Sequence, residues 1–109
     1  MERRQHRRVP IQLQGFLLGN SHETEAVTLD LSVGGAKFDC DLEVHPGKVI
    51  RVRLVIPGAE EPVSIEEGLV QWVGEETFGV SFQNVRQAEL DEIEQLINEF
   101  EEAEDGGHA

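Results

Sequence analysis

The sequence predicts a mainly β protein, a six-stranded antiparallel β-barrel followed by a C-terminal α-helix. Between residues 11 and 85, short apolar or alternating segments are separated by turn residues at fairly even spacing, a pattern typical of a closed or nearly closed antiparallel barrel. After Asn84 the apolar residues recur instead at spacings of three and four, as in an amphipathic helix. With 109 residues and 39% hydrophobic content, the chain can bury one core.

Six segments have the composition and alternation of β-strands. In chain order they are residues 11–18, 26–32, 36–40, 49–56, 63–73 and 78–82. Gly34-Gly35 and Pro57-Gly58 interrupt the pattern, and His45-Pro46-Gly47 has the composition of a turn. The fifth segment contains Gly68, where we expect a bend. In the fourth, Arg51 and Arg53 lie two apart and so share one face, which we interpret as solvated.

The C-terminal segment carries one apolar stripe on a Glu-rich background. The stripe consists of Leu90, Ile93, Leu96, Ile97 and Phe100. We expect this helix to lie across the barrel and cover an open end or face. The predicted organisation is a flexible arginine-rich ligand-binding arm at residues 1–10, the barrel at 11–85, the helix at 86–104 and a disordered tail at 105–109.

Charge is distributed very unevenly along the chain. Residues 1–10 contain four arginines and one glutamate, whereas the other 99 residues contain five basic and 21 acidic side chains. The acidic body would repel an anionic partner, so a basic arm on it indicates a specific anionic ligand. Arginine suits that role because its planar fork matches phosphate oxygens or the O6/N7 edge of guanine. The arginines of the arm are Arg3, Arg4, Arg7 and Arg8.

Several function classes are disfavoured by composition. A single cysteine, Cys40, forms no internal disulfide, and no secretory segment follows Met1, so we expect a cytoplasmic protein. No apolar stretch approaches the roughly 20 residues of a membrane helix, so we expect no membrane insertion. The four histidines are too scattered for a metal site, and we expect no cofactor. Ser32 and Asp30 with a histidine would lack an oxyanion loop and a positioned base, so we expect no enzyme.

The segment DLSVGG, residues 30–35, is the second candidate binding element. Asp30 and Ser32 are two apart on a strand and so should face the same side. Gly34 and Gly35 permit positive φ and would let a ligand approach the backbone closely. Taken alone, the segment is equally an Asx-type turn that closes a hairpin, and the arm alone is equally a solvated terminus.

Together, the two elements resemble the PilZ domain family. The resemblance rests on an RxxxR element before the first strand, DxSxxG after the second, and a six-stranded barrel with a C-terminal helix. It covers about residues 2 to 100, and VQWVGEETFGVSF is similar to the last two strands of the family. The resemblance implies a bacterial receptor for the second messenger cyclic di-GMP.

The arm contains two frames for RxxxR: Arg3 with Arg7, or Arg4 with Arg8. We prefer Arg4 and Arg8, because in the family the second arginine directly precedes the apolar start of the first strand. Arg3 then precedes the pair, a feature that in the family accompanies two stacked ligand molecules. We therefore expect two cyclic di-GMP per chain. Arg7 and Trp72 are weaker candidates for ligand contact.

The chemistry of the ligand agrees with these residues. Each guanine of cyclic di-GMP offers an edge suited to an arginine fork, and a guanidinium plane also stacks on purines. Asp30 can accept from a guanine N–H, Ser32 can donate or accept, and Gly34-Gly35 can lie against the ligand. The ligand-binding residues predicted from the sequence are Arg3, Arg4, Arg8, Asp30, Ser32, Gly34 and Gly35.

The leading hypothesis is a stand-alone receptor that orders its arm on binding and signals through an unidentified effector protein. The first alternative is a nucleotide-independent adaptor of PilZ type, which the intact RxxxR and DxSxxG elements disfavour. The second is a small RNA- or DNA-binding barrel. The acidic body and the lack of aromatic residues between the arginines disfavour it, so we expect no nucleic-acid partner.

Overall fold

The computed structural model describes residues 7–19 and 22–106, with side chains through residue 103. Six strands form a closed antiparallel barrel in the order β1-β2-β3-β6-β5-β4, and one helix follows. The predicted six-stranded barrel with a C-terminal helix is therefore confirmed. The elements are β1 Gln14–Leu18, β2 Glu23–Ser32, β3 Gly35–Asp39, β4 Val49–Leu54, β5 Val63–Val73, β6 Thr77–Gln83 and α1 Gln87–Gly106.

Alternation along the strands produces the core. In β4, for example, Ile50, Val52 and Leu54 are buried while Val49 and Arg51 are exposed, as expected when successive side chains point to opposite faces. Aromatic residues of two neighbouring strands, Phe38 and Phe78, fill the interior with their ring centroids 6.0 Å apart. Closure of the barrel pairs β1 with β4 and leaves no free sheet edge among the six strands.

The extended segment before β1 belongs to the barrel from Val9 onward. Val9 is 5% exposed, and its backbone exchanges two hydrogen bonds with Leu31, at 3.0 and 2.9 Å. Val9 lies two residues before the predicted boundary at residue 11, and its buried side chain and the backbone bridge to Leu31 attach it to β2.

A buried threonine fixes the same segment further along. The Thr28 hydroxyl donates to the Ile11 carbonyl and accepts from the Leu13 N–H, both at 2.7 Å, and the residue is fully buried. Ordinary strand pairing of β1 begins only at Gln14. Together with a backbone hydrogen bond from the Thr28 N–H to the Leu13 carbonyl at 2.9 Å, this side chain attaches the segment to β2 before regular strand pairing begins.

Helix α1 packs its apolar stripe on the barrel. Ile93 and Ile97 are buried in the core, with Leu96 and Phe100 partly buried against it, and the helix contacts β2 and β5. The helix extends to Gly106, so residues 105 and 106, predicted as tail, are helical, while 107–109 lie outside the described residues. Within the described part of the chain, no helix is long and apolar enough to cross a membrane.

Candidate ligand-binding face

One row of residues crosses four strands on the outside of the barrel. Asp30 of β2 pairs with Lys37 of β3, Lys37 pairs with Gly79 of β6, and Gly79 pairs with Trp72 of β5. Directly paired residues of antiparallel strands place their side chains on the same face. Successive strands lie about 4.8 Å apart, so the row is about 14 Å long.

Strand irregularities lie at both ends of this row. The pairing of β2 with β3 shifts between Thr28 and Asp30, and that of β5 with β6 shifts between Val70 and Trp72. Such bulges bend a strand and change the direction of nearby side chains, and they are common beside functional sites. A separate irregularity, in the pairing of β4 with β5 between Ile50 and Val52, lies at the β5 residues from Ile65 to Gly68, where the sequence predicted a bend.

Arg8 and Asp30, one residue from each predicted motif, form an ion pair. The Arg8 guanidinium nitrogen lies 2.6 Å from the Asp30 carboxylate oxygen, and the two side chains are 53% and 27% exposed. A pair this accessible stabilises the fold by at most about 1 kcal/mol. Its components are consequently available to rearrange around a ligand at small cost.

Arg7 points to a different element, the C-terminal helix. It lies 2.9 Å from the Glu101 carboxylate and donates to the Asn98 side-chain oxygen at 3.3 Å. These two consecutive arginines therefore contact different elements: Arg7 contacts the helix and Arg8 contacts the barrel wall. This geometry favours the frame that ends at Arg8, since Arg8 is the arginine brought to the DxSxxG element.

The turn after β2 is held internally. Ser32 is 1% exposed, and its hydroxyl accepts from the Gly34 N–H at 3.1 Å and donates to the Gly35 carbonyl at 3.3 Å. Gly34 in turn accepts from the Phe82 N–H of β6 at 2.8 Å. Ser32 is therefore buried, whereas Asp30 is partly exposed, although the two are spaced to face the same side.

The reason for glycine at position 35 differs from the one expected. Positive φ occurs, among the described glycines, at Gly47 and Gly58 and not in this turn. A Cβ at Gly35 would instead overlap the backbone carbonyl oxygen of Val80. Close approach of β3 to β6 therefore requires the glycine, whether or not a ligand also approaches it.

Trp72 forms the far end of the row. Its side chain is accessible, with the residue 43% exposed, and its indole occupies the place where a Cβ at Gly79 would lie. The Lys37 ammonium stands 5.9 Å from the centroid of the ring, within cation–π range. The glycine opposite Trp72 thus lets the indole lie flat across β6.

The structure brings together five of the predicted residues, Arg8, Asp30, Ser32, Gly34 and Gly35, and adds one. Arg8 and Asp30 are in contact, while Ser32 and Gly35 close the adjoining hairpin. Lys37 was not predicted from the sequence; the alternation of Ala36, Lys37 and Phe38 places it outward, but only the register puts it between Asp30 and Trp72. Arg3 and Arg4 lie outside the described residues.

Other chemistry finds little support in the described residues. No group of three or more His, Cys, Asp or Glu side chains in that part of the chain could hold a metal ion. Cys40 is partly buried, and its sulfur accepts a hydrogen bond from the Leu42 N–H at 3.3 Å. Every buried side-chain nitrogen or oxygen of the described residues has a hydrogen-bond partner. The row on the outer wall, with Arg8 beside it, remains the strongest candidate site.

Comparisons with known proteins agree with this architecture. The family model described as PilZ domain matches residues 2–99. The structure resembles the Bacillus subtilis inhibitor of motility MotI/DgrA (TM-score 0.74, 18% identity), covering 91% of this chain and 52% of that one. It also resembles the PilZ domain of CeSA from a cellulose-synthesizing bacterium (TM-score 0.68, 18% identity), covering 87% of this chain and 98% of that one. The chain thus spans about half of the Bacillus subtilis protein, and no curated protein matches it.

Proposed function

We propose that this chain, which belongs to the PilZ domain family, is a bacterial cytoplasmic receptor for cyclic di-GMP that signals through a protein partner. The observation that carries the proposal is the contact of Arg8 with Asp30, at 2.6 Å. It joins the end of the RxxxR element to the start of DxSxxG on an accessible barrel wall. The same wall holds Lys37 and the exposed ring of Trp72.

The residues suit the different parts of the ligand. Arg8, with Arg4 in the same RxxxR element, would hold phosphate oxygens or a guanine O6/N7 edge through paired hydrogen bonds. Asp30 would accept from a guanine N–H once Arg8 turns to the ligand, and the accessible face of the Trp72 indole would stack on a base. Ser32 would support the backbone of the turn, and Gly34-Gly35 would leave room for the ligand.

The energetic balance favours exchange of partners at Asp30. Binding gives up an exposed ion pair that contributes at most about 1 kcal/mol. It gains charge-assisted hydrogen bonds that contribute about 1.5–3 kcal/mol each in a partly desolvated site. The arginines of the arm also repel one another less once phosphate anions lie between them.

Ordering of the arm is the second part of the proposal. Val9 is fixed to Leu31, so the residues before it are tethered next to the site whatever their own conformation. We expect ligand to hold residues 2–8 over the barrel wall, creating a surface of arm plus nucleotide that an effector recognises. Amide exchange of residues 2–8, with and without cyclic di-GMP, measures this directly. Equal protection in both states would contradict the ordering step.

Calorimetric titration tests the receptor function itself. We expect cyclic di-GMP to bind, and GMP or the linear dinucleotide to bind much more weakly, because both phosphates and both bases must be held together. A flat titration with folded protein at high ligand concentration would instead support the nucleotide-independent adaptor. The two similar structures come from an inhibitor of motility and from a cellulose-synthesizing bacterium, and we expect the output of this chain to depend on its partner.

A further inference from the structure

A groove runs along α1 on the flank away from the arginine arm. The arm side is marked by Arg7, which contacts Asn98 and Glu101 and lines a small cavity with Glu94. On the other flank, two adjoining cavities lie between the helix and the segment that joins β4 to β5, and they share Ala59 and Glu92. Residues 56–63 of that segment line one side of the groove, and α1 residues between Ala88 and Glu99 line the other.

The groove has apolar residues on its floor and acidic residues along its sides. Ile56, Pro57 and Leu96 supply an apolar floor, of which Pro57 is exposed while Ile56 and Leu96 are partly exposed. Carboxylates line both sides, and none of the described lining residues is Lys or Arg. The acidic residues with most of their charge available are Glu60, Glu61, Glu92 and Glu99, all exposed.

Among the described residues, Arg86 is the one cation that pairs with a carboxylate of the groove, that of Glu89. Glu89 accepts two hydrogen bonds from Arg86, at 3.1 and 2.7 Å, and these bonds raise the pKa of Arg86. The Glu99 carboxylate accepts only a neutral amide hydrogen bond, from Gln95 at 3.1 Å. The groove therefore has a net negative field over an apolar strip.

We propose that this groove is the docking site for a basic amphipathic segment of a partner protein. Apolar side chains of the segment would lie on Ile56, Pro57 and Leu96, and its Lys or Arg residues would face the carboxylates on both sides. The arm of the same molecule is not the expected occupant, because its residue Arg7 contacts Glu101 on the opposite flank of α1. The groove thus provides a partner surface separate from the candidate nucleotide site, and its test is independent of the nucleotide.

The experiment uses the full chain, labelled with ¹⁵N and free of nucleotide, titrated with a synthetic leucine–lysine peptide. Its leucines stand at spacings of three and four, and control peptides replace the leucines by serine or the lysines by glutamate. We expect chemical-shift changes concentrated at residues 56–62 and 88–99. We further expect E92K/E99K to weaken binding by about tenfold or more, and raised salt to weaken it as well.

A matched reversal, E75K/E76K in the β5–β6 connection, changes the net charge equally but lies outside the groove and should leave the affinity unchanged within about twofold. Equal binding of the serine peptide, equal loss in both reversal variants, or shifts outside the groove would overturn the proposal. So would absence of peptide binding. Groove shifts that grow with protein concentration alone, together with a dimer in sedimentation, would identify a second copy as the occupant and also overturn it.

Discussion

At the scale of single residues, two neighbours in the chain have different roles. Arg8 touches Asp30 on the barrel wall, whereas Arg7 touches Asn98 and Glu101 on the helix. Both contacts are exposed, so neither contributes much to folding. Substitution of Arg8 should therefore separate ligand binding from stability.

We predict that Arg8→Ala or Arg4→Ala weakens cyclic di-GMP binding by at least about 2 kcal/mol, roughly thirtyfold, with little change in the melting temperature of the free protein. The reason is that each removes charge-assisted hydrogen bonds to the ligand but no buried contact. Calorimetry and thermal unfolding measure the two quantities. Arg51→Ala is the control, because Arg51 forms a comparable exposed pair with Glu66 at 3.0 Å. Unchanged affinity in both arm variants would favour Arg3 and Arg7 as the frame.

Unlike the exposed arginines, Thr28 lies inside the barrel, and we expect its substitution to change stability. We predict that Thr28→Val lowers the free energy of unfolding by about 1–3 kcal/mol, because the Ile11 carbonyl and the Leu13 N–H lose their partner. Urea unfolding measures it. Thr24→Val, at a partly exposed position of the same strand, should cost much less. Equal losses in the two variants would mean that the buried bridge contributes nothing specific.

At the scale of elements, glycines set the approach of β3, β6 and β5. Gly35 lets β3 lie against the Val80 carbonyl, and Gly79 lets the Trp72 indole cross β6. The obstacle is backbone in the first case and an accessible side chain in the second. The two glycines should therefore respond differently to an added methyl group.

We predict that Gly35→Ala destabilises the protein by about 1–3 kcal/mol, since paired backbone cannot move aside without disturbing the ladder. Gly79→Ala should cost less but displace the indole toward solvent and shift its emission to longer wavelength. The chain has one tryptophan and no tyrosine, so the emission reports Trp72 alone. Unfolding curves and fluorescence spectra of both variants measure these effects. An unchanged spectrum in folded Gly79→Ala would contradict the stacked arrangement.

At the scale of the whole molecule, a basic arm is attached to an acidic body. The body repels anions in general, so we expect an anionic ligand to bind only where arginines from the arm meet the barrel wall. The bridge of Val9 to Leu31 fixes where that meeting takes place. We expect the number of arginines that reach the ligand to set how many nucleotides are bound.

We predict two cyclic di-GMP molecules per chain, bound as a stacked pair, because Arg3 directly before Arg4 supplies a further guanidinium for a second guanine layer. Arg3→Ala should reduce the calorimetric ratio from two to one, whereas Gln5→Ala, an uncharged position of the same arm, should leave it at two. A ratio of one in the unmodified protein would contradict the prediction, as would an Arg3→Ala variant that still binds two.

The sequence by itself determined the architecture of this protein. Periods of two and of three to four are local properties, and they identify which face of each strand and helix must be buried. The barrel and the stripe of Ile93 and Ile97 therefore follow directly from the pattern. The two motif elements also predicted Arg8 and Asp30 as site residues, Arg8 because a cluster of arginines is unusual on an otherwise acidic chain and Asp30 because of its spacing to Ser32 and Gly35.

Only the tertiary structure decided which residues meet. The cross-strand register joins Asp30, Lys37 and Trp72, which are far apart in the chain, and an alternating pattern gives the face of a residue but not its neighbours. Burial of Ser32 and close packing at Gly35 likewise depend on the path of β6. Val9 belongs to the barrel because Leu31 and the core receive it, and a single valine after four arginines carries no local sign of that partner.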